Sequence, residues 1–71
     1  MINTKKVKLR MAELNLTQKE VAEYLKMAQP TINQKINNTR PMYLEEADKL
    51  AELLKLSDLE YAEYFFGKEI A

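Results

Sequence analysis

Four polar residues in a short stretch, Gln29, Thr31, Asn33 and Gln34, are the residues of this chain best suited to chemical recognition. Asn and Gln each carry a donor and an acceptor, and their two-point match to an adenine edge in the major groove discriminates between bases. Asn37 and Arg40 follow as further polar and cationic groups, and Gln18 precedes them. An amide at the start of a helix, as at Gln18, suits a phosphate. The competing reading is ordinary solvated surface, so the elements that present these residues decide the matter.

Catalysis is a poorer expectation. The chain has no His and no Cys, and Ser57 is its single serine, which removes the usual general base, the thiolate nucleophile and most metal ligands. No enzyme activity, cofactor, metal site or small-molecule substrate is expected. The longest apolar runs fall far short of the roughly 18 residues a membrane span needs, and MINTKKVKLR lacks the apolar core of a signal peptide. A cytoplasmic protein with no membrane partner is the expectation.

The positioning elements are five short helices, giving an all-α bundle in a single domain, residues 1–71. Val7, Met11 and Leu14 recur at helical spacing over about 4–14, with Asn15 as a stop. Thr17 and Glu20 form a capping box that opens a second helix over about 18–25, burying Val21, Ala22 and Leu25. Lys26, Met27 and Ala28 are too few for a flexible loop, so a third helix must leave steeply. It begins near Pro30 with Gln29 as a candidate cap, is anchored by Ile32 and Ile36, and shows Thr31, Asn33, Gln34, Lys35 and Asn37 on its other sides. Leu44, Ala47, Leu50, Ala51 and Leu54 mark a fourth helix over about 44–55 with its charges outward. Ser57 and Glu60 open a fifth, an aromatic helix over 57–67 that stops at Gly67, the only glycine.

A helix, a three-residue turn and a second helix led by exposed amides is the geometry that places a recognition helix in the groove. The stretch TQKEVAEYLKMAQPTINQKINNTRP, residues 17–41, resembles the helix-turn-helix of the phage Cro and repressor family (the XRE type), through its Thr-Gln opening, Ala22, and the Thr31-Ile32 pair. The resemblance covers roughly residues 6–60 and implies a lambda-repressor-like DNA-binding domain. It would give Gln18 a phosphate contact, set Gln29, Thr31 and Gln34 against bases, and place Asn37 and Arg40 near the backbone. Three positions depart from it: Lys26 where the family usually has Gly, Ala28 where a Ser or Thr is common, and Pro30 in place of a polar residue. Each removes a DNA contact or strains the turn.

Charge and the C-terminal helix pull the other way. Residues 1–40 carry eight Lys and Arg against three Glu, and the remainder reverses the ratio, for a net charge of zero. The acidic half opposes long-range attraction to DNA. In LEYAEYFFG, Leu59, Ala62 and Phe66 share one stripe and are expected to serve the core. Tyr61, Tyr64 and Phe65 cannot all share it, so aromatic surface is left for another protein, with Tyr61, Tyr64, Phe65 and Phe66 as the contact set. These features favour, within the resemblance, a small regulator of a phage lysis–lysogeny switch in a bacterial host. Its expected action is that of an antirepressor, a modulator of repression: it binds the N-terminal DNA-binding domain of a CI-type repressor and blocks operator binding. The alternatives are a Cro-like homodimer that binds operator DNA itself, and an antitoxin of the same fold.

Overall fold

Helix boundaries in this chain are set by side chains that satisfy the first amides and by backbone turns that satisfy the last carbonyls. A computed structural model describes residues 2–66, with helices α1 Thr4–Glu13, α2 Gln18–Leu25, α3 Gln29–Ile36, α4 Leu44–Leu53 and α5 Asp58–Phe66. Among these residues there is no strand. Asn3 caps α1 by accepting from the Lys6 amide at 3.1 Å. Both expected capping boxes are made: Thr17 Oγ1 accepts from the Glu20 amide at 3.1 Å while Glu20 Oε1 accepts from the Thr17 amide at 2.9 Å, and Ser57 and Glu60 do the same at 3.2 and 2.9 Å. Helix α4 uses half of this device, Glu46 Oε1 accepting from the Tyr43 amide at 3.0 Å.

The ends of α1 to α4 share one solution. Asn15, Lys26, Asn38 and Lys55 each take a positive φ, between 56° and 64°. After each, the amide of the following residue returns to a carbonyl five residues back: Leu16 to Met11, Met27 to Ala22, Thr39 to Gln34 and Leu56 to Ala51, at 2.8 to 3.0 Å. This is the Schellman closure, and three of the four returning residues, Leu16, Met27 and Leu56, pack against the core as that closure favours. Sharp left-handed exits let helices of ten residues or fewer fold back on one another with connections of three to seven residues. Two of the four exits use Lys, which lacks glycine's freedom there.

Val7, Val21, Ile32, Ile36, Leu50 and Leu54 are fully enclosed and form the centre of the core. Helix α2 packs on both α3 and α4, and α1 packs on α5. Four expectations need correction. The cap of α3 is Ala28, not Gln29, because the Ala28 carbonyl already accepts from the Ile32 amide at 3.1 Å, which puts Pro30 at the second helical position, where no amide is needed. Leu44 lies on the buried stripe by angle, yet it is 64% exposed, while Ala47 and Leu50 on the same stripe are buried. Lys35 is buried rather than surface, and its partner Glu46 is half-buried rather than outward.

The fourth correction concerns α5. Phe65 is 5% exposed, whereas Leu59 and Phe66 are 58% and 57% exposed. At about 100° per residue, Tyr61 and Phe65 fall on one stripe, and Leu59 and Phe66 on another turned well away from it. The first stripe wins because Phe65 is buried in the core and the half-buried Tyr61 donates its hydroxyl to Asp48 on α4. Lys6 pairs with Glu63 at 3.0 Å and the Asn3 amide donates to the Tyr64 carbonyl at 2.6 Å, which hold the same rotation. Gly67, expected to stop this helix, lies outside the described residues.

Candidate nucleic-acid interface

The turn between α2 and α3 must absorb a change of direction within Lys26, Met27 and Ala28. Lys26 does so with φ 57° and ψ 46°, Met27 tucks against the core, and Ala28 is extended. The departure at Lys26 is thus accommodated without glycine, at a cost of about 1 kcal/mol for a side chain in the left-handed region.

Helix α3 is then fixed by one flank, Ile32, Lys35 and Ile36, all buried. At about 100° per residue the opposite pole carries Pro30, Gln34 and Asn37, with Gln29 and Asn33 to one side and Thr31 to the other. Gln29, Pro30, Gln34 and Asn37 are exposed, and Thr31 and Asn33 are half-buried. Asn33 differs from its neighbours: its Oδ1 lies beneath the surface with no protein donor. Thr39 Oγ1 donates to the Gln34 carbonyl at 3.1 Å and holds the end of the helix.

Gln18, half-buried, is the first residue of α2. Its neighbour Glu20 is held below the usual carboxylate range, first by the Thr17 backbone amide and then by the Thr17 hydroxyl. A carboxylate therefore stays ionised at this helix start, and the Gln18 side chain is the neutral group that can meet a phosphate there. Arg40 is exposed in the loop before α4, beside Lys35, Pro41 and Tyr43. The sequence candidates are thus gathered on α2, α3 and the loop after α3.

The buried flank of α3 is held by an ion pair. Lys35 Nζ donates to both carboxylate oxygens of Glu46, at 2.6 and 2.8 Å, and lies 5.1 Å from the centre of the Tyr43 ring. Burial pushes the Glu46 carboxyl up, but the Lys35 and Tyr43 hydrogen bonds outweigh it and leave it below its ordinary value. Two further cations of the first half are also tied into the fold. Lys6 pairs with Glu63, and Arg10 pairs with Glu13 at 3.3 Å while its Nε donates to the Leu54 carbonyl at 2.9 Å. The basic surface on the recognition elements is therefore Lys19, Lys26 and Arg40, all exposed.

The C-terminal aromatics separate. Phe65 belongs to the core and meets Tyr61 edge to face at 5.3 Å. Tyr61 is half-buried, and its burial and the Asp48 carboxylate push its hydroxyl up to about 12. Tyr64 is half-buried with the Lys6 ammonium 5.9 Å from its ring centre. Only Phe66 of the four is open to solvent, and it joins Leu44 and Met42 over Ile2, Ala47 and Phe65 around a hollow of about 160 Å³. Leu44 was missed as a surface residue because helical spacing alone places it inside. Tyr43 and Tyr24 are also exposed, at 65% and 43%.

Among the described residues no cluster of acidic side chains could hold a metal, and no helix is long and apolar enough to cross a membrane. A sequence profile described as helix-turn-helix matches residues 7–61, and it points to a DNA-binding regulator of transcription. No curated protein and no solved structure matches the chain.

Proposed function

Because the chain belongs to the helix-turn-helix family, we propose that it reads operator DNA with α3, in the cytoplasm of a bacterial host. Gln29 and Gln34 contact base edges, Thr31 adds a contact from the flank, and Gln18, Asn37 and Arg40 meet phosphates. One observation carries this reading: the exposed amides stand opposite a flank locked by Ile32, Ile36 and the Lys35–Glu46 pair, so their direction is fixed before DNA arrives. With three exposed cations on these elements, each module binds weakly, and two copies acting on two half-sites about one helical turn apart make up the affinity. No catalysis is involved.

A second reading is favoured by a separate observation, the exposed Leu44 and Phe66 beside Met42. In it the protein is an antirepressor whose apolar end grips the DNA-binding domain of a CI-type repressor and removes it from its operator by mass action. The contact set shifts from the four aromatics toward Phe66, Leu44 and Met42, since Phe65 is spoken for by the core. Titration of the protein against the neighbouring intergenic DNA and, separately, against that repressor domain separates the two. Tight, sequence-dependent DNA binding supports the first; repressor binding with only non-specific DNA binding replaces it with the second.

A further inference from the structure

The first described residues of the chain cross the ends of two helices. The Ile2 amide donates to Asn38 Oδ1 at 2.9 Å, and Asn38 Nδ2 donates back to the Ile2 carbonyl at 2.8 Å, a two-point pairing like that between strands. Asn38 Nδ2 also reaches Thr4 Oγ1 at 3.3 Å, and Thr4 Oγ1 donates to the Ile36 carbonyl at 2.6 Å. Between these contacts the Asn3 amide donates to the Tyr64 carbonyl at 2.6 Å. The Ile2 side chain is buried. Residues 2–4 therefore form a strap over the last turns of α3 and α5.

Asn38 stands where the chain leaves α3, at φ 64°. Glycine would supply that conformation as readily, but not the amide that pairs with Ile2. The Ile36 carbonyl is one of the last-turn acceptors that a helix cannot satisfy itself, and Thr4 satisfies it. The direction of residues 37–40 is thus set from outside the helix-turn-helix, by the N-terminal strap.

We infer that Asn38 is a positioning residue for DNA binding: with Ile2 and Thr4 it fixes the end of α3 and orients Asn37 and Arg40 toward the phosphate backbone. The inference rests on the operator-binding reading. It assigns Asn38 no base contact of its own, and it gives the N-terminal residues a part in affinity although they lie outside the helix-turn-helix.

Two variants approach the strap from opposite sides. Asn38→Gly keeps the left-handed exit and removes the amide; Thr4→Val keeps the shape and removes the hydroxyl. Both are expected to keep their helix content. In both, the Asn3 amide, whose own partner is the untouched Tyr64 carbonyl, exchanges faster by on the order of tenfold, because the strap opens as a unit. The slope of log K against log salt for DNA becomes shallower by about one, while base preference is unchanged. Unchanged Asn3 exchange would show that the strap is not a unit and overturn the inference. Faster exchange with an unchanged salt slope would show that the strap does not position phosphate contacts, which overturns it equally. If the unaltered protein shows no salt-dependent DNA binding, the operator reading falls and this role falls with it, while the exchange result still reports on the strap.

Discussion

The ion pair beneath the recognition helix should be asymmetric, with loss of the acid costing more than loss of the base. Lys35 is 8% exposed and Glu46 is 22% exposed, and the ammonium has both carboxylate oxygens within 2.8 Å. Glu46→Ala strands a buried ammonium, and breaking one partner of a buried pair costs about 3–5 kcal/mol. The groove beside Arg40 and Tyr43 gives the lysine a route toward water, which places the cost near about 3 kcal/mol. Loss of the back-contact to the Tyr43 amide adds about 0.5–1 kcal/mol. Lys35→Met keeps most of the buried stem and leaves a carboxylate that water can reach and that still caps Tyr43, for about 1 kcal/mol. The difference is at least about 2 kcal/mol, or roughly 8–16 °C in melting temperature for a domain of this size. Urea denaturation and thermal melts of both variants measure it, with Glu46→Gln as an intermediate should the alanine variant fail to fold. Equal losses, or a larger loss from Lys35→Met, would refute the account of how α3 is held.

Phe65→Ala should cost about 3–5 kcal/mol, whereas Phe66→Ala should change stability by less than about 1 kcal/mol, by urea denaturation. Lys26→Gly should stabilise by about 0.5–1 kcal/mol, because it relieves a left-handed lysine and gives back part of that gain as unfolded-chain entropy. Glu46, Glu20 and Glu60 are all held below their ordinary value of 4.5. A lowered carboxyl contributes stability above that value and loses it as the pH falls through the folded value, so the urea midpoint should drop on acidification, and less steeply in Glu46→Gln. Tyr61, raised from 10.0 to about 12, has the opposite sign: its contribution is present below 10.0 and is lost as the pH rises toward 12. Alkaline absorbance titration should show one tyrosine ionising last, and Asp48→Asn should bring it down.

Local spacing was enough to read the skeleton. The Thr17–Glu20 and Ser57–Glu60 boxes each lie within four residues, and they place the starts of α2 and α5 without any tertiary knowledge. The five-helix order and the turn at 26–28 follow from the same local signals. What remained hidden depends on partners distant in sequence. The rotation of α5 is undecidable from periodicity because apolar residues lie on most of its sides; contacts with Asp48, Lys6 and Asn3 select it. Lys35 looks like any surface lysine until Glu46, eleven residues on, is brought beneath it. Leu44 fits the core period, yet among the described residues it is 64% exposed. For the interface, the row of candidate amides was visible as residue types, but the burial of Asn33 Oδ1 and the strap through Asn38 are properties of the packed molecule.

The central claim is that the exposed face of α3 reads bases. Its most direct test is the affinity of the protein, at fixed salt, for the intergenic duplex against a scrambled duplex of the same length, with Gln34→Ala and Gln29→Ala alongside. The account predicts a preference for the intergenic duplex that each substitution erodes by about 1–3 kcal/mol, with non-specific binding unchanged. Equal affinity for both duplexes, or a preference that survives both substitutions, would contradict it.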